Sequence, residues 1–196
     1  MKFSFKQWLK ETEEPQTLVF AFGRMNPPTR GHIMHIMEIR EYAKRHGVPY
    51  MIYASKTQDK KKNPVSPEMK IQYIEKALPG VAIKVAMNMF SIVAELGEQH
   101  HFSKLVYFAG GDYFEDQGEQ GMMTRLQQEA QKLGMDLQVM SSGNRSEGIS
   151  GTALRTAAIN DDFETFLKAS PIGIGHITEE DVRQMFTAVQ QGLSKV

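Results

Sequence analysis

The sequence predicts an α/β fold, built from strand–helix–strand units around a five-stranded parallel sheet and closed by a helical C-terminal tail. Short apolar runs rich in Val, Ile, Phe and Tyr alternate with longer segments of helical period, which is the pattern of such units. The 196 residues suffice for one domain with a buried core. We find no internal repeat and no low-complexity segment.

The five predicted strands are bounded by turn residues and carry the residue types that favour extended structure. In chain order they read TLVFAF, PYMIYAS, VAIKVA, KLVYFA and DLQVMS.

Segments of helical period lie between and after these strands. From Ile33 to Ala43 apolar residues recur at spacings of three and four, and a cationic turn then precedes Gly47, which predicts one amphipathic helix with a glycine stop. SPEMKIQYIEKALPG begins with a serine N-cap followed by proline and ends on Pro-Gly. MFSIVAELGEQ and GMMTRLQQEAQKLG predict two more helices. From Ser150 onward only helices are predicted, and TEED resembles a capping box.

Composition excludes several classes of function. Lys plus Arg and Asp plus Glu number 23 each, so no global field favours nucleic acid or an anionic membrane, and we expect neither as a partner. The chain has no cysteine, which excludes disulfides, thiolate zinc sites and thiol chemistry. No apolar run approaches the roughly 20 residues of a membrane span, and no secretory signal is recognisable. We expect a cytoplasmic protein.

The stretch FGRMNPPTRGH after the first strand predicts a phosphate-binding turn. A parallel strand that ends in a glycine-containing turn and feeds a helix brings unpaired N–H groups and the positive helix end together. Gly23 lets the chain leave the strand, and Gly31 allows close backbone approach. His32 can donate a ring N–H to a phosphate oxygen, and Thr29 adds a hydroxyl. The alternative is an ordinary turn punctuated by proline and glycine.

A second stretch, GISGTALRTAA, has the same chemistry. Ser150, Thr152 and Arg155 stand at spacings of two and three at a helix start, so two hydroxyls and a guanidinium can join backbone N–H groups around a polyphosphate. The alternative is an ordinary serine-capped helix with a surface arginine.

Together, GRMNPPTRGH followed by ISGTALR resembles the nucleotidyltransferase superfamily with its (T/H)xGH and ISSTxxR or ISGTxxR motifs. The resemblance implies a doubly wound Rossmann-like domain with helices on both faces. It also implies transfer of a nucleotide from a nucleoside triphosphate to a small phosphorylated acceptor, with release of pyrophosphate and with Mg²⁺ bound through the substrate phosphates. The implied catalytic residues are His32, Thr29 and Arg155. The implied nucleotide-binding residues are Phe22, Gly23, Arg24, Met25, Asn26, Gly31, Gly110, Asp112, Ser150, Gly151 and Thr152.

A third segment, NPVSPEMKIQYI, resembles the NPFTxxER segment of archaeal-type nicotinamide-mononucleotide adenylyltransferases. Lys70 stands where that segment has arginine, and Thr29 where its HxGH motif has the first histidine. AFGRMNPPTRGH, QDKKKNPVS, GGDYF and DFETFLKASP are similar to patterns of tailed-phage proteins labelled cytidylyltransferase or nucleotidyltransferase. That resemblance covers about residues 17 to 170. The implied acceptor-binding residues are Lys62, Asn63 and Lys70.

The resemblance favours AMP transfer from ATP to an acceptor such as nicotinamide mononucleotide. CTP as the donor and a nucleotide-binding protein without turnover remain alternatives. A kinase or ligase is disfavoured because the GxxxxGK(S/T) loop of the usual kinases is absent.

Several charged residues have two interpretations. The lysines of SKTQDKKKN either are solvated or meet substrate phosphates at the carboxyl edge of the sheet. Asp112 binds the nucleotide or caps the next helix, and Arg145 either closes over phosphates or is idle. His100 and His101 lack partners at metal-ligand spacing, so we assign no protein-bound metal.

The predicted domains are an N-terminal extension (1–16), the nucleotidyltransferase domain (17–160) and a helical tail packed on it (161–196). MKFSFKQWLKE is either a short docked helix or, by resemblance, a head-targeting peptide of T-even-like phage internal proteins, cut after Leu9-Lys10-Glu11. The second interpretation implies phage head components as partners and the virion interior as location, rather than the host cytoplasm alone. A homo-oligomer is left open.

Overall fold

The computed structural model describes residues 16–99, 102–110, 117–141 and 150–194. It confirms the α/β, Rossmann-like fold, a five-stranded parallel sheet with helices on both faces. The strands are β1 (Gln16–Gly23), β2 (Tyr50–Ser55), β3 (Ile83–Ala86), β4 (Phe102–Ala109) and β5 (Asp136–Ser141). Each of them overlaps the apolar run that predicted it.

Seven helices lie in the described part of the chain. They are α1 (Arg30–His46), α2 (Pro67–Ala77), α3 (Met89–Glu98), α4 (Gln117–Lys132), α5 (Gly151–Ile159), α6 (Phe163–Ala169) and α7 (Glu179–Ser194). The helix starts follow the local signals of the sequence. Ser66 accepts a hydrogen bond from the Met69 N–H, as an N-cap does. Thr178 and Asp181 exchange hydrogen bonds between side chain and backbone, which confirms the predicted capping box.

The strand order is β3-β2-β1-β4-β5. β4 pairs in parallel with β1, where Val19 lies opposite Val106, and with β5, where Tyr107 lies opposite Val139. The order therefore reverses between β1 and β4. Ligands of open α/β sheets bind beyond the carboxyl ends of the strands at such a reversal, and the predicted phosphate turn follows β1.

The described chain falls into two compact units. The first holds residues 16–22, 38–53, 86–99, 102–110 and 117–141. Its core includes Phe20, whose ring lies 6.3 Å from that of Tyr53 and 5.1 Å from that of Tyr107.

The second unit holds residues 23–37, 54–85 and 150–194. Its core includes Phe166 and Phe186, whose rings meet edge to face at 5.1 Å. The half-buried ring of Phe163 also meets Phe186 edge to face, at 5.4 Å. Both predicted phosphate-binding motifs, from Gly23 to His32 and from Ser150 to Arg155, belong to this unit. None of the described helices has the length and apolar character needed to cross a bilayer.

Candidate functional site

The turn between β1 and α1 is buried, but its two arginines are not. Residues 25–29 are buried, whereas Arg24 and Arg30 are exposed. Met25 has a φ of 46°, in the left-handed region that side chains other than glycine rarely adopt. A Cβ at Gly23 would lie only 3.2 Å from Met25 Cε, so glycine leaves room for this inward-turned methionine. The peptide bond between Asn26 and Pro27 is cis.

Thr29 and His32 are hydrogen-bonded to each other at the start of α1. The Thr29 hydroxyl accepts the His32 backbone N–H at 3.2 Å, which caps the helix. The Thr29 backbone N–H donates to His32 Nδ1 at 3.0 Å, and its hydroxyl lies 2.9 Å from the same atom. Because an amide can only donate, Nδ1 carries the lone pair and the ring proton lies on Nε2. Thr29 is 1% exposed and thus orients the ring.

Arg155 connects the two motifs within the second unit. It donates from Nη1 to the Asn26 carbonyl at 2.8 Å and from Nη2 to the Thr152 hydroxyl at 2.9 Å. A Cβ at Gly151 would lie 3.3 Å from both Nη1 and that carbonyl, so glycine permits the close approach. Burial lowers the pKa of Arg155, as does the nearby charge of Arg24, whereas Asp59 opposes them.

Ser150 belongs to the frame of the second motif. Its hydroxyl accepts the Ala153 N–H at 3.1 Å and caps α5. This cap closes the first turn of α5, and the Arg155 guanidinium of the same helix reaches the turn after β1 through its bond to the Asn26 carbonyl.

Asn26 joins this turn to the segment before α2. Its side-chain amide donates to the Val65 carbonyl at 2.7 Å and accepts the Val65 N–H at 2.9 Å. Asn26 is 2% exposed, and its own carbonyl receives Arg155. Both polar atoms of its side chain therefore have a partner within the protein, and its predicted contact with a nucleotide stays a prediction.

The lysine-rich loop, residues 56–63 after β2, is held by hydrogen bonds to the carboxylate of Asp59. Asp59 accepts the backbone N–H groups of Lys61 at 2.8 Å and Lys62 at 2.7 Å, and it also accepts the side-chain amide of Asn63. These bonds hold the pKa of Asp59 well below its usual range, the Lys62 N–H contributing most. Asn63 is 5% exposed, whereas Lys60 to Lys62 are exposed. The loop presents three cations on an ordered backbone.

Lys70 is buried, which its position in the sequence does not indicate. Its side chain is 0% exposed, and Nζ donates to the carbonyls of Ser55 at 2.5 Å and Arg24 at 3.1 Å. Burial lowers the pKa of Lys70 to about 8, and Glu68 partly opposes this. Its predicted contact with an acceptor stays a prediction, because the described bonds are to the backbone.

The remaining predicted residues are distributed over both units. Thr152 is exposed and Gly31 is half-buried in α1; Phe22, at the end of β1, and Gly110, directly after β4, lie in the first unit. Asp112, Arg145, His100, His101 and the predicted N-terminal peptide fall outside the described residues.

Sequence reasoning missed Asp59 and Val65. Asp59 had a signal, since aspartate before polar residues is typical of a turn closed by its side chain; Val65 acts only through its backbone.

The described residues contain no group of three His, Asp or Glu side chains placed to hold a metal ion. What the second unit assembles is a set of donors: a histidine with its proton on Nε2, an oriented guanidinium and a cationic loop. Such a set suits phosphate oxygens.

Comparisons with known proteins identify a family and a similar fold. Residues 20–157 match the family model described as cytidylyltransferase-like. The structure of Thermotoga maritima TmcAL bound with alpha-thio ATP is similar at a TM-score of 0.53 and 14% identity, over 88% of this chain and 55% of that one. A proposed nicotinate-nucleotide adenylyltransferase from Vibrio parahaemolyticus is similar at a TM-score of 0.50 and 10% identity, over 90% and 96%. These two likenesses concern the fold. No curated protein matches significantly.

Proposed function

The chain belongs to the cytidylyltransferase-like family, and from this membership we propose that it is a nucleotidyltransferase. It transfers AMP from ATP to a small phosphorylated acceptor such as nicotinamide mononucleotide and releases pyrophosphate. The observation that carries the proposal is the 2.8 Å bond from Arg155 to the Asn26 carbonyl. It holds the guanidinium of the second motif at the turn of the first, where the residues predicted to bind phosphate are concentrated.

The reaction we propose is an in-line displacement. An acceptor phosphate oxygen forms a bond to the α-phosphorus of ATP while the bond from that phosphorus to the β-phosphate oxygen breaks, and pyrophosphate leaves with the electron pair. His32 donates from Nε2 and Arg155 from its remaining N–H groups to the charge that builds on the departing phosphates. Magnesium would be bound through the substrate phosphates and would supply positive charge to them. The protein supplies position and positive charge.

The acceptor phosphate is proposed to bind at the lysine-rich loop. Lys62 is exposed on a backbone that Asp59 holds, so binding a phosphate there costs little loop ordering. Asn63 contributes by anchoring the loop to Asp59.

The test is pyrophosphate release, measured with each nucleoside triphosphate in turn. The acceptors to screen are nicotinamide mononucleotide, phosphopantetheine, glycerol phosphate and several sugar phosphates. We expect ATP with one acceptor to give pyrophosphate and the adenylylated product in equal amounts. Turnover with CTP alone would overturn the choice of base. Tight triphosphate binding without pyrophosphate from any pair would overturn catalysis and indicate a nucleotide-binding protein.

A further inference from the structure

Lys70 is a buried cation that the proposed reaction does not use. Its ammonium has no exposed surface and bonds to two backbone carbonyls, those of Arg24, just after β1, and of Ser55, the last residue of β2. Among the described residues no carboxylate forms an ion pair with it. A buried, unpaired ammonium is costly to keep, so this position calls for a function beyond packing.

The two carbonyls determine where the following N–H groups point. In a trans peptide the C=O and N–H bonds are antiparallel, and the only cis bond of the described chain joins Asn26 to Pro27. When the carbonyls of Arg24 and Ser55 face the ammonium, the N–H groups of Met25 and Lys56 face away from it. The ammonium also polarises both peptide units in the sense that strengthens these N–H groups as donors.

The Met25 N–H lies inside the phosphate-binding turn. It is one residue before Asn26, whose carbonyl holds Arg155, and no acceptor for it is found within the described ranges. Lys56 opens the lysine-rich loop, and the next N–H, that of Thr57, is engaged with the Ser55 hydroxyl at 3.1 Å.

We propose that Lys70 is a positioning residue, which holds two peptide units so that the N–H groups of Met25 and Lys56 bind the substrate phosphates. This inference rests on the proposed function for the identity of the anion, but the assignment of Lys70 concerns binding and not turnover. It predicts that the loss of Lys70 weakens the binding of phosphates more than that of the nucleoside.

The experiment compares Lys70→Met with Lys76→Met. Both replace a lysine of α2 by an unbranched neutral side chain, but Lys76 lies on the surface, where it pairs with Asp181. Binding of inorganic pyrophosphate, ATP and adenosine is measured by calorimetry, and amide resonances are followed in ¹⁵N-labelled protein. We expect Lys70→Met to weaken pyrophosphate and ATP binding about tenfold or more and to leave adenosine binding unchanged. Lys76→Met should bind all three as the wild type does.

The amide spectrum provides the signature of positioning. In the wild type, pyrophosphate should shift the Met25 and Lys56 resonances, and in Lys70→Met these shifts should disappear. Unchanged pyrophosphate affinity in Lys70→Met, or a Met25 resonance that pyrophosphate does not move in the wild type, would overturn the inference. If Lys70→Met does not fold, Lys70→Gln takes its place with the same expectation.

These outcomes are separable from those of the proposed function. If the wild type releases no pyrophosphate from any triphosphate, while Lys70→Met still loses pyrophosphate binding, catalysis fails and the positioning role stands. If turnover is found and pyrophosphate binding is the same in Lys70→Met as in the wild type, catalysis stands and the positioning role of Lys70 fails.

Discussion

Arg155 donates from Nη1 to the backbone carbonyl of Asn26 at 2.8 Å, across 129 positions of the chain. Its second terminal nitrogen is held by the Thr152 hydroxyl. The guanidinium is thus oriented before any substrate binds, and its other N–H groups remain for phosphate oxygens. Preorganised donors of this kind stabilise a transition state without reorganising during the reaction.

The first prediction concerns the shape of this donor. Arg155→Lys keeps the charge but lacks the planar fork, so one ammonium cannot serve Asn26, Thr152 and a phosphate together. We expect kcat to fall about a hundredfold, measured by pyrophosphate release. Arg183→Lys is the control. Arg183 belongs to α7 and lies over the ring of Phe163 in α6, so its replacement should leave kcat unchanged. Equal turnover in both variants would contradict the role of Arg155.

The second prediction tests the Thr29–His32 pair. His32→Ala should lower kcat about a hundredfold by removing the Nε2 donor. Thr29→Val keeps the shape but removes the hydroxyl that lies 2.9 Å from Nδ1, so we expect a smaller loss, roughly tenfold. Because Thr29 acts through His32, the double variant should be no slower than His32→Ala. Additive losses in this double-mutant cycle would show that Thr29 has a role independent of the ring.

A third prediction concerns Asn26 and stability. Asn26→Asp replaces the amide donor facing the Val65 carbonyl by an acceptor and buries a charge. We expect the free energy of unfolding in urea to fall by about 2–3 kcal/mol. Asn160→Asp, at the exposed C-terminal end of α5, should change it by less than about 1 kcal/mol. Similar values for both variants would mean that the Asn26–Val65 pair contributes little.

Lys70 also predicts a pH dependence of stability. Its pKa of about 8 in the folded chain lies below the unfolded value of about 10.4. Between these values the unfolded chain binds a proton that the folded chain does not, so stability rises with pH.

From pH 8 to 9.5 this rise should amount to about 1.5 kcal/mol, and Lys70→Met should lack it. The neutral amine still has two N–H donors for its two carbonyls. Above about pH 10 the trend should reverse, because burial raises the pKa of Tyr53 and Tyr73 and the unfolded tyrosines ionise first. Urea unfolding at several pH values, with Lys76→Met as control, measures both trends; an identical profile in Lys70→Met would refute the assignment.

The last prediction concerns the packing of α7. A Cβ at Gly192 would clash with the Pro64 carbonyl oxygen, which directly precedes Val65, the residue whose backbone Asn26 holds. Gly192→Ala should therefore cost about 1–3 kcal/mol of unfolding free energy. At Gly121 in α4 a Cβ meets nothing within 4 Å, so Gly121→Ala should stabilise by up to about 1 kcal/mol. Thermal unfolding of the two variants should shift in opposite directions.

The sequence by itself determined the secondary structure and the motifs. Apolar periodicity, N-caps such as Ser66 and glycine stops act within a few residues, so they can be read locally, and the strands and helices appear where these signals stand. The alternation of strands and helices also predicted a parallel sheet. The two motifs carried the family resemblance because their hydroxyl, histidine and arginine residues are contiguous or nearly so in the chain.

Only the tertiary structure decided what these residues touch. The partners of Asn26, Lys70 and Arg155 lie 39, 46 and 129 positions away, and several of them are backbone atoms that no residue type marks. Lys70 shows this most clearly. As a residue of α2 it could have been a solvated cation. It is buried because its ammonium bonds to the carbonyls of Arg24, just after β1, and Ser55, at the end of β2. Hydrogen-bond partners depend on which segments the sheet order brings together, and that order arises from long-range packing.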